Sequence, residues 1–76
     1  MNPNYRQKRR KAKEFIKQVS GSIKTLRIQK ELTQNELEEK SGITVSRCES
    51  GKFDMTLTTI SILSKHLDVP PGELLK

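Results

Sequence analysis

Leu32-Thr33-Gln34-Asn35-Glu36-Leu37, then Ser41-Gly42-Ile43, then Ser46-Arg47-Cys48-Glu49-Ser50-Gly51-Lys52, carries the strongest local folding signals of the chain. Thr33 followed three residues later by Glu36 has the form of a capping box, in which each side chain takes up a backbone N–H of the other at the start of a helix. Leu32 before the cap and Leu37 after it stand where a hydrophobic staple would form. Ser41-Gly42 closes this short helix, with Gly42 at the position that favours a left-handed cap. A second short helix is expected from about Thr44 to Ser50, stopping at Gly51. Two short helices joined by a glycine-containing turn are the helix-turn-helix arrangement.

On the N-terminal side Ala12, Ile16, Val19, Ile23 and Leu26 recur at spacings of four and three and form one helical stripe, with Phe15 beside it. Asn2-Pro3 has the form of a helix start. Ser20-Gly21-Ser22 interrupts the stripe, which is compatible with one long helix or with two helices hinged there, since an interior glycine costs only about 1 kcal/mol. On the C-terminal side Thr56 is read as the cap of a helix whose buried face is Leu57, Ile60, Leu63, Ser64 and Leu67. Asp68-Val69-Pro70 breaks that helix, and Pro71 with Leu74 and Leu75 begins a last turn. No segment alternates with period two over strand length, so the expected fold is all-α. It is a five-helix bundle at residues 19–76, preceded by a basic, helical N-terminal arm at residues 1–18.

The charge pattern points to a polyanionic partner. Net charge is +6, but residues 1–30 hold ten Lys and Arg (among them Arg6, Lys8, Arg9, Arg10, Lys11, Lys13 and Lys17) against Glu14 alone, whereas the remainder is slightly acidic. The arm has few apolar residues to insert beside its charges, so a membrane surface is not the expected partner. Cys48 is the only cysteine and His66 the only histidine, so no disulfide and no metal site is expected, and no cofactor. A lone thiol suits a reducing compartment, and no transmembrane or signal-peptide run is present; the expected location is the cytoplasm. With one histidine, no paired carboxylates around a pocket and no glycine-rich phosphate loop, the chain does not read as an enzyme.

Residues 19–76 resemble the phage repressor and Cro class, the Xre family of helix-turn-helix proteins. Ile23-Lys24-Thr25-Leu26-Arg27 through Leu37 is similar to that family's first helix and the start of its second, Ser41-Gly42-Ile43 to its turn, and Ser46 through Lys52 to the end of its recognition helix and the following loop. Thr56 through Ile60, and Leu67 through Leu75, resemble its last two helices. The resemblance implies a DNA-binding transcription regulator, a repressor in many members, acting on double-stranded DNA as a homodimer. It implies a phosphate contact for Gln34, a basic loop contact for Lys52, and a structural ion pair between Arg27 and Glu49. Arg47 is the long donor on the third helix, suited either to a bidentate contact with guanine or to a phosphate. Thr44 and Ser46 are the other polar side chains expected to face the groove, while Val45 and Cys48 are its buried side. Phe53, Met55 and Ile62 are read as an exposed apolar patch for dimerisation.

Two departures from the family pattern bear on function. Glu31 stands where the family prefers glycine, and a left-handed conformation there would be strained by roughly 1 kcal/mol. Only six residues separate Gly42 from Glu49, three fewer than the family usually has. The recognition helix is therefore expected to lack almost one turn at the end that probes base edges. The shortening leaves room for a second reading, a protein-binding module such as an antitoxin-like partner of a toxin. If Arg6, Lys8, Arg9, Arg10, Lys11 and Lys13 all reach phosphates, the arm alone gives a log–log salt slope of about −5.

Overall fold

A computed structural model describes residues 3–76, with side chains from Lys8 onward. The Asn2 cap and the side chain of Arg6 therefore lie outside the described residues. The chain is all-α, with five helices among the described residues: α1 Pro3–Gln29, α2 Gln34–Ser41, α3 Val45–Cys48, α4 Leu57–His66 and α5 Pro71–Leu74.

α1 runs unbroken through Ser20-Gly21-Ser22, so of the two arrangements open to the sequence the single long helix is the one formed. Its 27 residues span about 40 Å at 1.5 Å per residue. That accounts for the long axis of a molecule measuring 43 × 20 × 19 Å, so the first half of α1 projects beyond the bundle. The apolar stripe is buried only where the bundle meets it. Val19 and Ile23 are buried and Ile16 and Leu26 half-buried, whereas Ala12 and Phe15 are exposed on the projecting half. Gly21 is exposed, and a Cβ there would meet nothing within 4 Å. Gly21→Ala is therefore expected to stabilise the protein by about 1 kcal/mol in urea denaturation; a loss of stability would mean that the helix needs a flexible point there.

Helix ends are closed by local hydrogen bonds that the sequence foreshadows. The α1 exit is a Schellman turn: Leu32 N–H donates to Arg27 O at 3.1 Å and Glu31 N–H to Ile28 O at 2.9 Å. It leaves Glu31 left-handed at φ 57°, the strained position for a residue with a Cβ. Thr33 and Glu36 form the full capping box at the start of α2, and hydrogen bonds from Thr33 hold the Glu36 carboxyl below its ordinary range. Gly42 closes α2 at φ 73°. Thr56 Oγ1 accepts from Thr59 N–H at the start of α4.

Val19 and Ile23 from α1, Leu37 from α2, Val45 and Cys48 from α3, Ile60, Leu63 and Leu67 from the α4 region, and Leu74 from α5 form one core. Ser64 is buried beside it and bonds Ser61 O. Two readings of the sequence are corrected. Leu57 is 82% exposed; as the first residue of α4, its Cβ tilts back past the helix start and away from the bundle. Phe53, Met55 and Ile62 are half-buried, and Phe53 and Met55 pack against the core, because the α3–α4 connection lies over the core and turns them inward. Among the described residues the exposed large apolar side chains are instead Phe15, Ile28, Leu57 and Leu75.

Candidate nucleic-acid interface

The α2–turn–α3 unit is held together from both of its ends. At the turn, Ser41 Oγ donates to Leu37 O at 2.7 Å and accepts from Ile43 N–H at 3.1 Å. Thr44 makes no side-chain cap to α3. Its place is taken by Glu38 on α2, whose Oε1 accepts from Val45 N–H at 2.9 Å, a carboxylate at a helix start where the unpaired N–H groups favour negative charge. Sequence reasoning missed this cap, because residues seven apart across a turn carry no local spacing signal.

At the other end Glu49, just past α3, is the hub of a small network. Arg27 Nε donates to Glu49 Oε2 at 2.6 Å and Arg27 Nη2 to Oε1 at 3.0 Å, a two-pronged pair. Arg27 Nη1 donates to Leu32 O at 2.8 Å, and Gln34 Nε2 to Glu49 Oε1 at 3.1 Å. The two charged side chains are only 11% and 3% exposed. Bonding to Glu49 is the main reason that the Arg27 pKa is raised above its ordinary value. The network ties α1, the start of α2 and the end of α3 into one rigid angle.

α3 is a single turn, shorter than the Thr44–Ser50 span expected. Val45 and Cys48 are buried, while Thr44, Ser46 and Arg47 face solvent. Burial pushes the Cys48 thiol pKa up, outweighing its neighbour Arg47, so the thiol is in its unreactive form. The Arg47 guanidinium lies 4.3 Å from the centre of the Phe53 ring, a cation–π distance. Phe53 thus supports Arg47 from below, a role that its apolar character alone did not reveal. After α3, Ser50 Oγ donates to Arg47 O at 2.7 Å and accepts from Lys52 N–H at 3.2 Å. Gly51 takes the left-handed conformation at φ 78° that this loop needs.

The basic residues of α1 divide between two faces. At about 100° per residue, Arg10, Lys13 and Lys17 share one face, to which position 6 also belongs, and Arg9 flanks it. Lys8 and Lys11 fall on the opposite side. Lys8, Arg9, Arg10, Lys11, Lys13 and Lys17 are all exposed. Among the described residues no group of His, Cys, Asp and Glu is disposed to hold a metal ion.

A helix-turn-helix family model matches residues 23–74, which takes in the end of α1, the α2–α3 unit, α4 and α5. The chain belongs to the Xre-like helix-turn-helix family. No curated protein and no solved structure matches it. The family is one of DNA-binding domains, and the match takes in the whole α2–turn–α3 unit. Within that unit this member has Gln34 half-buried and bonded to Glu49, and a one-turn α3 with Arg47 as its only long outward donor. The projecting half of α1 lies outside the matched residues.

Proposed function

We propose that the chain is a transcription regulator that binds duplex DNA through the α2–α3 unit and the basic face of α1, acting as a homodimer in the cytoplasm. The observation that carries this reading is the Glu49 network. It fixes α3 against α1 and α2 and leaves Thr44, Ser46 and Arg47 pointing outward. Lys52 in the following loop and Lys8, Arg9, Arg10, Lys11 and Lys13 with Arg6 on α1 are the proposed phosphate contacts, of which those on the Arg10–Lys13 face can act together. Gln34 keeps one amide N–H for a phosphate while the other bonds Glu49. The test is a binding titration against the DNA flanking its own gene and against unrelated DNA, at two salt concentrations. Tighter binding to the flanking DNA that survives the higher salt supports regulation; equal affinities at both salts would contradict it.

Arg47 carries the direct base readout in this reading. Arg47→Ala is expected to relax sequence preference at one base pair, worth about 1–3 kcal/mol, and Lys52→Gln to lower affinity for all sequences alike. Competition assays with single-base-pair variants of a bound site separate the two outcomes.

A second reading, an antitoxin-like protein-binding module, is favoured by one observation. Phe15 (46% exposed), Leu57 (82%) and Leu75 (39%) border an apolar groove of about 120 Å³ floored by Ile16, Val19 and Ile60. Of the Phe53–Met55–Ile62 patch only Met55 lines this groove, which is the apolar surface open to a second copy. Leu57→Glu should leave the fold intact. If the groove pairs protomers, the variant shifts the light-scattering mass towards a monomer.

A further inference from the structure

Lys13 and Lys17, one helical turn apart on α1, face Lys52 in the loop after α3 across a cleft of about 320 Å³. Ile16 and Gly51 complete its lining, and no carboxylate contributes to it. Among the described residues none of the three lysines is in an ion pair, so three cationic side chains line one space without a counter-ion. Gly51 makes the approach possible. Its left-handed backbone lies so close to α1 that a Cβ there would sit 3.3 Å from Lys17 Cγ, closer than a side chain tolerates without displacement. The Lys17 stem rests on this loop, and Lys17 lines the cleft.

We infer that the Lys13–Lys17–Lys52 cleft is a binding site for a single phosphodiester group of the DNA backbone, and that Lys17 is a DNA contact. The inference rests on the DNA-binding reading above and gives it a specific site. Three cations around a single cleft that no carboxylate lines suit one shared anion rather than a run of backbone. Its position joins the two basic parts of the molecule. Lys52 belongs to the recognition unit, whereas Lys13 and Lys17 open onto the Arg10 face of the projecting helix. A phosphate seated here would set the angle at which α1 leaves the recognition unit and follows the strand. The arm is then a rigid strut with a fixed register on the duplex.

Convergence has a consequence that separate surface lysines do not share. Each neutralised phosphate contributes about 0.9 to the log–log salt slope, so three lysines on one phosphate contribute about 0.9 together, and three on separate phosphates about 2.7. The experiment is a fluorescence-anisotropy titration of the full chain with a labelled duplex over a salt series. It compares wild type, Lys13→Gln, Lys17→Gln, Lys52→Gln, the triple variant, and Lys65→Gln on α4 as a charge control. All these lysines are exposed, so thermal unfolding should match wild type. The expected result is a slope reduced by less than 0.5 in each single variant, by about 0.9 in the triple, and unchanged in Lys65→Gln. A triple variant that loses about 2.7, or one with the wild-type slope, would overturn the shared site while leaving DNA binding itself intact. A wild-type chain that shows no salt-dependent binding would overturn both.

Discussion

Replacing Arg27 with methionine while Glu49 is kept is expected to cost about 3 kcal/mol of folding stability, the usual consequence of stranding one member of a buried ion pair. A domain of this size has only about 4–11 kcal/mol in total, so the variant should unfold at markedly lower urea concentration. Glu49 would keep one hydrogen bond, from Gln34, for a carboxylate that is 3% exposed, and Leu32 O would lose the Nη1 donor. Glu49→Leu alone should be similarly damaging, because it buries the guanidinium without an anion. The double variant Arg27→Met/Glu49→Leu should lose far less than the sum, since neither buried charge remains. Losses that simply add in the cycle would show that the pair does not hold α3 to α1. The distinction matters for function because the same contacts set the angle at which Arg47 is presented.

Deleting residues 1–13 should have the larger effect on binding and almost none on folding. Lys8 through Lys13 are exposed, so the deletion removes no buried side chain among the described residues. Read as a free tail, the six cations of the arm predict a slope contribution of about −5. As part of α1 they cannot all reach one backbone, because Lys8 and Lys11 lie on the side opposite Arg10 and Lys13. Positions 6, 9 and 10 remain as contacts beyond the phosphate that Lys17 and Lys52 retain. The truncated chain should therefore lose about 2.7 from the salt slope and about two orders of magnitude in affinity at 0.1 M salt. That loss should be the same for every sequence. An unchanged slope would mean that the arm does not touch DNA; a change near 5 would mean that it unwinds from α1 to wrap the duplex.

How far the sequence could be read follows from how local each signal is. The Thr33–Glu36 box, the Gly42 and Gly51 turns and the Thr56 cap depend on neighbours within four residues, and spacing alone located them. The stripe Ile60, Leu63, Ser64 and Leu67 was legible for the same reason, with Leu57 the exception because a helix's first side chain points past its own end. Arg27 and Glu49 were singled out through the family resemblance, since nothing local links residues 22 apart. What stayed hidden lies across turns and between elements: Glu38 capping α3, Phe53 beneath Arg47, and Lys17 against Gly51. Whether α1 bends at Gly21 was open because a glycine's helix cost is small beside the packing of Val19 and Ile23 on either side.

In the proposed function this short α3 still reads DNA, through Arg47 above all, while phosphate contacts supply most of the affinity. Selection of bound duplexes from a randomised pool by the full chain tests it most directly. The expected outcome is a weak motif, with one or two strongly specified base pairs per half-site and each mismatch costing about 1–3 kcal/mol. Arg47→Ala should erase one of those positions. A long, sharply defined palindrome that survives Arg47→Ala, or a pool that emerges with no preference at all, would contradict it.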